Sequence, residues 1–177
     1  MRPLSLILLT LLLSACARPA WVRMPDVSMP DFSSWFNAEN AVEVREMVRA
    51  DACGTAGGES EVTVLPDVPA LKAWAASRNV DLSTAGNQAL PATPYAVVEF
   101  GQRPNSGYGL AVSRQAGMQN DVLLLKATFF EPQQGRWAST EPSSPCVLVS
   151  LPQREYRGVK LIDQTGKVRA ASEDRGS

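Results

Sequence analysis

The side chains that most often carry catalysis are scarce in this chain of 177 residues. It contains no histidine, which excludes Ser-His and Cys-His nucleophile pairs and most zinc sites. A Ser-Lys dyad would need one of four lysines, none of which lies in an S-x-x-K motif: Lys72, Lys126, Lys160 and Lys167. Carboxylate pairs could serve a glycosidase, but they fall on stretches with the composition of exposed segments or linkers: Glu43 and Glu46, Glu59 and Glu61, Asp26 and Asp31. We therefore expect a protein that is not an enzyme and holds no metal ion or cofactor.

Cys16 ends a segment with the build of a signal peptide. Residues 4–13 form an apolar run that is too short to span a bilayer, and Arg2 precedes it. Residues 13–16, LSAC, resemble the lipobox of bacterial lipoproteins, in which the cysteine thiol receives a diacylglycerol and the peptide is cut just before it. The sequence thus predicts a signal peptide at residues 1–15 and lipidation at Cys16. The alternative is an ordinary secretory signal that is cut elsewhere.

A lipidated Cys16 would carry at least two acyl chains, such as palmitate, and two chains make membrane anchoring stable. In enteric bacteria an aspartate just after the cysteine retains a lipoprotein at the inner membrane. Here Ala17 and Arg18 follow Cys16. We therefore expect a protein of the bacterial cell envelope that is anchored by lipid at the outer membrane and faces the periplasm.

Cys53 and Cys146 remain after the anchor is assigned. An even pair of cysteines in an exported domain is by default a disulfide, because the periplasm is oxidising. Two free buried thiols are the alternative. No C-x-x-C motif supports a thioredoxin-like redox role. A bond between them would close a long loop, worth about 4–5 kcal/mol in the chain-entropy model.

The charge and the length limit the class of partner and the number of domains. Without residues 1–15, which include one of the 17 basic residues and none of the 18 acidic ones, the chain is slightly acidic. It has no basic stripe, so nucleic acid is not expected as a partner.

Residues 16–40 contain two Met-Pro-Asp repeats and no regular hydrophobic period, which is typical of an extended tether. Residues 41–171 have the length of one domain, and residues 172–177 form a polar tail.

Most of the domain has strand patterns. Asp67 and Pro69 mark the start of one helix, with Leu71, Trp74 and Ala75 on one apolar face. Residues 116–121, AGMQND, have the composition of a hairpin loop. Seven or eight strands are expected, at residues 42–50 (with an irregularity near Glu46, or a short helix as the alternative), 61–65, 95–100, 108–115, 121–130 and 146–152, and in a terminal hairpin that turns at 163–166. The class is mainly β, an antiparallel β-sandwich or strongly curved sheet with one packed helix.

The stretch GQRPNSGYG, residues 101–109, joins two of these strands. Pro104 presets the backbone for the first turn position, and Asn105 tolerates the second. Gly107 would permit a positive φ as the chain leaves the turn, or a close approach of the backbone. Turn chemistry therefore explains the stretch, but loops on rigid scaffolds are also where binding residues concentrate, so a partner-binding loop is the second interpretation.

The stretch also resembles the signature of the PrcB family, the C-terminal domain of a bacterial protease-complex subunit. That signature runs from an apolar strand through G-x-R/K-P-T/S-G-G-Y into an alternating strand. The matching residues are Gly101, Arg103, Pro104, Gly107 and Tyr108, whereas Asn105 and Ser106 depart from the usual Thr-Gly. The resemblance implies a binding or accessory module that stabilises or modulates a secreted or periplasmic protease. The alternative is a structural envelope lipoprotein that contacts other envelope components.

The two interpretations of the loop predict different effects of Arg103→Ala. If the loop is only a turn, the variant should change neither the melting temperature nor the recovery of a partner. If the loop presents Arg103 to a partner, Arg103→Ala should weaken binding and leave the fold unchanged. Gly107→Val should damage the fold itself, because a β-branched residue resists a positive φ. Tyr108→Ala should destabilise the domain, because Tyr108 begins a stripe that continues through Leu110 and Val112 toward the core.

Overall fold

The computed structural model describes residues 40–54, 57–85, 90–132 and 140–172. The signal peptide, Cys16, most of the tether and residues 173–177 lie outside the described residues. All described residues belong to one unit, residues 35–177. The strands are β1 Ala41–Glu43, β2 Arg45–Ala50, β3 Glu61–Leu65, β4 Tyr95–Glu99, β5 Gly109–Val112, β6 Gln115–Gln119, β7 Val122–Phe130, β8 Cys146–Ser150, β9 Gly158–Ile162 and β10 Val168–Ala171, with helix α1 Val68–Arg78 and a 3-10 turn at Leu82–Ala85.

These strands form two sheets. One has the order β1-β6-β7-β9-β10, with β5 also paired to β7, and the other has the order β2-β8-β4-β3. The paired strands of the described residues run antiparallel except β7 and β9, which are parallel. The expectation of a mainly β fold with one packed helix is confirmed.

The main core lies between the two sheets. Strand β7 alternates regularly, and its inward side chains Leu123, Leu125, Ala127 and Phe129 are buried. They pack with residues of the four-stranded sheet, among them Val98. Each buried aliphatic or aromatic side chain contributes about 1.5–3 kcal/mol relative to full exposure. This layer fixes the ends of β4 and β5, where the candidate site lies.

Helix α1 covers the outer side of the four-stranded sheet and forms a second core. The carboxylate of Asp67 accepts a hydrogen bond from the Ala70 N–H at 2.8 Å, which caps the first turn. Leu71 and Ala75 are buried against this sheet, and Trp74 is half-buried beside them. The predicted helix and its apolar face are therefore confirmed.

Two segments differ from the sequence expectation. The first strand is divided at Val44 into β1, which joins one sheet, and β2, which joins the other; the predicted irregularity appears as a bulge between Glu46 and Val48. The expected loop at residues 116–121 is largely strand β6, and only its end turns. Asn120 and Asp121 have positive φ angles of 49° and 61°, which suits a tight two-residue hairpin. The described residues therefore hold ten strands rather than seven or eight.

The predicted terminal hairpin turns at residues 163–166, as expected. The carboxylate of Asp163 accepts hydrogen bonds from the N–H groups of Thr165 at 2.8 Å and Lys167 at 3.0 Å. Burial alone would raise the pKa of Asp163, but these bonds and the nearby Arg169 lower it overall. Within the described residues, no helix is long and apolar enough to cross a membrane.

Candidate binding site at the loop between β4 and β5

The loop at residues 101–108 carries the chain from one sheet to the other. It leaves the buried strand β4 of the four-stranded sheet and enters β5, which pairs with β7 of the six-stranded sheet. Tyr108 is half-buried against the core, and Leu110 and Val112 are buried. The predicted core-facing stripe that begins at Tyr108 is confirmed. Both ends of the loop are therefore held by the core.

The left-handed residue of the loop is Gly101, with φ 85°, and not Gly107. An added Cβ at Gly101 would lie 2.5 Å from the carbonyl oxygen of Glu59 and 2.9 Å from the carbonyl carbon of Gly58. Glycine is thus required at position 101 for two reasons: the positive φ of the backbone and the close approach of residues 58–59. The expectation of a positive φ at Gly107 is wrong, because Asn105 closes the turn in another way.

Asn105 closes the turn with its side chain. Its Oδ1 accepts a hydrogen bond from the Gly107 N–H at 2.9 Å, which is an Asx turn. The backbone oxygen of Asn105 accepts a second bond, from the Ser143 hydroxyl at 2.7 Å. The departure from Thr-Gly at residues 105–106 is therefore accommodated by an amide side chain, and this turn does not rely on a left-handed Gly107.

Arg103 folds back onto the domain. Its Nη2 donates to the backbone oxygen of Gly58 at 2.8 Å and to that of Phe100. The guanidinium carbon lies 4.1 Å from the centroid of the Phe100 ring, within the range of a cation–π contact. Phe100 itself packs edge-on against Tyr108 and Phe129, at centroid distances of 5.9 and 4.8 Å. Arg103 therefore links its own loop to Gly58 by a hydrogen bond and is not a freely projecting side chain.

This arrangement changes the expectation for Arg103→Ala. We expect the variant to lose about 1–3 kcal/mol of unfolding free energy, because hydrogen bonds to a charged group and the ring contact disappear together. Urea unfolding of the purified domain would measure the loss. Arg114→Ala is the matched control, because Arg114 is exposed, and its stability should stay close to that of the wild type. An Arg103→Ala protein as stable as this control would show that the contacts of Arg103 do not stabilise the domain.

The side chains that do project from the loop are Gln102, Pro104 and Ser106, which are exposed. Two other exposed segments lie beside them, residues 57–59 and 140–142. The Gln102 N–H donates to the Gly57 oxygen at 2.7 Å, and Arg103 and Ser143 exchange backbone hydrogen bonds of 2.7 and 3.0 Å. We call residues 57–59, 102–106 and 140–142 together the three-loop surface.

Comparison with known families decides what this region is. Residues 93–152 match the family model described as PrcB C-terminal. This region belongs to the PrcB C-terminal family. The resemblance seen in residues 101–108 is thereby supported over β4 to β8. No curated protein and no solved structure matches the chain.

The PrcB region supplies two of the three loops, and a disulfide ties it to the chain before it. Cys146 at the start of β8 is bonded to Cys53, with Cα atoms 6.0 Å apart. The predicted disulfide is present. Next to it, the Ser144 hydroxyl oxygen accepts hydrogen bonds from the N–H groups of Cys53 at 2.9 Å and Gly54 at 3.1 Å. The segment that leads out of residues 140–142 is therefore fixed covalently and by hydrogen bonds.

The electrostatics of the three-loop surface follow from the inward position of Arg103. The exposed charged residues of the three-loop surface are Glu59 and Glu141. Behind it lies Glu99, which is 0% exposed and has its Oε1 3.8 Å from Nη1 of Arg78. Arg78 also donates to the Gly54 oxygen at 3.1 Å. The three-loop surface is therefore polar and weakly acidic, and its backbone is fixed by hydrogen bonds and the disulfide.

Sequence reasoning missed several residues of this site. Nothing in the local sequence indicates that Ser143 pairs with Arg103, or that Glu99 is buried, because both depend on segments distant in the chain. The paired glycines Gly57 and Gly58 were the available signal, since consecutive glycines allow close backbone approach. Among the described residues, no group of three His, Cys, Asp or Glu is arranged to hold a metal ion.

Proposed function

We propose that this chain is a non-catalytic, lipid-anchored module of the bacterial cell envelope that binds a secreted or periplasmic protease and stabilises or modulates it. The observation that carries the proposal is the PrcB C-terminal match over residues 93–152, which associates the chain with a protease complex. The lipobox-like residues 13–16 support the anchor.

The geometry of the three-loop surface supports a binding role. A loop that is already fixed loses little conformational entropy when it docks, so more of the contact energy remains as affinity. Here Gly101, Arg103 and the Asx turn at Asn105 fix the backbone, while Gln102, Pro104 and Ser106 project. The partner contacts are therefore assigned to the projecting side chains.

The test is crosslinked recovery of partners from intact cells with the mature lipoprotein as bait. We expect a protease to be recovered with the wild type, and about tenfold less of it with Ser106→Tyr, which adds bulk at the projecting tip. Ser77→Tyr is the matched control, because Ser77 is exposed on α1 and is not part of the three-loop surface. Melting temperatures of both variants should match that of the wild type.

Each outcome of this experiment has a definite meaning. Recovery of no protease with the wild type overturns the protease-module proposal. Recovery only of envelope proteins without proteolytic activity supports a structural envelope lipoprotein instead. Equal recovery of a protease by Ser106→Tyr and Ser77→Tyr leaves the module in place and removes the three-loop surface as its contact.

The anchor has its own test. Cys16→Ser is expected to abolish metabolic labelling of the protein with palmitate, because the hydroxyl does not replace the thiol that receives the lipid. The domain should then leave the membrane fraction or remain unprocessed. Ser14→Ala, which keeps a small residue before the cleavage point, should label normally. Unchanged labelling of Cys16→Ser would show that the protein is not a lipoprotein.

A further inference from the structure

The outer face of the six-stranded sheet has a gap in its side chains at β6. The strand register places Gly117 of β6 between Ala41 of β1 and Leu124 of β7. Leu124 lies between the inward, buried residues Leu123 and Leu125, so it faces outward, and so does the row it shares with its cross-strand neighbours. Since Ala41 has only a methyl group and Gly117 has no side chain, this row forms a shallow trough that ends at the side chain of Leu124. We call these three residues the outer trough.

The outer trough has the form of a docking site for an aromatic ring. Gln115 and Gln119, two residues before and after Gly117 on the same face of β6, are exposed and border it. Gly117 is buried although it faces outward. A glycine inside a strand often marks a place where another chain segment approaches closely, and an aromatic ring can fill the space above it. Helix α1 packs on the other sheet, so among the described residues no helix fills this space.

The chain enters the sheet at one end of the outer trough. Asn40 is the first described residue, and Ala41 begins β1. Trp35 and Phe36 precede Asn40 by five and four residues. Four or five residues span at most about 13–18 Å when extended, and Leu124 lies two strands from β1, which is about 10 Å. Both aromatic side chains can therefore reach the outer trough.

The composition of the predicted tether, residues 16–40, favours such a contact. Linkers that remain solvated contain few aromatic residues. This one contains Trp21, Phe32, Trp35 and Phe36. Aromatic side chains remove a large apolar area from water when they pack, so they gain more than other residues from an apolar surface nearby. The two that are nearest to β1 are the ones whose reach matches the outer trough.

We propose that Trp35 and Phe36 bind the outer trough and fasten the end of the tether to the sheet. The candidate loop enters β5 at Gly109, which pairs with Phe130 at the far end of β7. Leu124 and Phe130 are six residues apart, or about 20 Å along the strand. A tether fastened at Leu124 holds the three-loop surface at the opposite end of the sheet, where a partner can approach it. This consequence rests on the proposed function, which makes the three-loop surface the contact with the protease, but the docking of the two rings does not.

The test uses a photo-crosslinking amino acid at position 160 in the full-length protein in intact cells. Lys160 is exposed and lies beside Leu124. We expect an adduct within one chain that joins position 160 to the tryptic peptide 24–45, and fragmentation in the mass spectrometer should locate it at Trp35 or Phe36. Replacing both rings, Trp35→Ala with Phe36→Ala, should reduce the adduct about tenfold, because the rings supply the apolar contact.

A second variant leaves the rings in place and fills the trough instead. Gly117→Val suits a strand and does not meet a positive φ, and it should reduce the same adduct about tenfold, because its side chain occupies the space of the ring. Trp21→Ala is the matched control for the loss of a ring and should leave the adduct unchanged. A crosslinker at Lys72, which is exposed on α1, should give no adduct with peptide 24–45.

The outcomes separate this inference from the proposed function. An adduct at Trp35 or Phe36 that the ring replacement weakens supports the docking, whether or not the bait experiment recovers a protease. No adduct at 160, an adduct only with lipid, with a second copy or with another protein, or an adduct insensitive to the ring replacement overturns it. Gly117→Val with a normal melting temperature and an undiminished adduct overturns it as well. If Gly117→Val melts early, the ring replacement alone decides. Protease recovery without the adduct leaves the proposed function and removes the docking.

Discussion

Replacing Gly101 by alanine is expected to lower the free energy of unfolding by about 3 kcal/mol or more. The left-handed backbone, with φ 85°, costs an ordinary L-residue about 1–2 kcal/mol. The new Cβ would also meet the Glu59 oxygen at 2.5 Å and the Gly58 carbon at 2.9 Å. Both are backbone atoms and cannot rotate away, so overpacking adds about 1–3 kcal/mol. The sum is a large share of the roughly 5–15 kcal/mol that stabilises a typical domain.

Equilibrium urea unfolding of the purified domain measures this loss. Gly57→Ala is the matched control, because an added Cβ there has no atom within 4 Å and its φ is not left-handed. Its stability should stay within about 0.5 kcal/mol of the wild type. Gly107→Ala should also cost less than Gly101→Ala, since Gly107 does not have a positive φ. Equal stability of Gly101→Ala and Gly57→Ala would show that residues 58–59 do not approach the loop as described.

The sequence predicts those parts of the fold that depend on local patterns. The apolar alternation of β7 and the capping aspartate of α1 act within one element, and both appear where the pattern places them. The same holds for Asp163, whose carboxylate bonds to the N–H groups of its own turn. Local composition predicts a loop where strand β6 lies, because Gly117 and the two glutamines around it lack strand propensity. Pairing with β1 and β7 overrides this weakness.

The details of the site depend on contacts that local patterns do not contain. The family signature marks both Gly101 and Gly107, but only the approach of residues 58–59 makes a left-handed glycine necessary at Gly101. Arg103 looks exposed from its place in a turn, and the structure turns it inward because Gly58 and Phe100 offer acceptors and a ring. The binding loop itself, residues 101–108, remains a prediction from the sequence, with its contacts now assigned to different side chains.

Replacing Cys53 and Cys146 by alanine together is expected to lower the free energy of unfolding by about 2–5 kcal/mol. The bond joins residues 93 apart in sequence, so its loss releases a long loop in the unfolded chain and raises its entropy. Both cysteines are also buried in the second core, beside Leu71 and Tyr95. Part of the loss will therefore come from packing. Mass spectrometry of a non-reduced digest should show the Cys53 and Cys146 peptides linked.

The wild type unfolded in reducing agent separates the two contributions. The reduced protein keeps both sulfur atoms but lacks the bond. The difference in unfolding free energy between oxidised and reduced wild type therefore measures the crosslink alone. The further loss in the double alanine variant measures packing. Partner recovery far below the melting temperature should change little, because Ser144 still accepts hydrogen bonds from the backbone N–H groups of residues 53 and 54. Quantitative labelling of both thiols in the native, non-reduced wild type would contradict the disulfide. A reduced wild type as stable as the oxidised one would show that the bond contributes no stability.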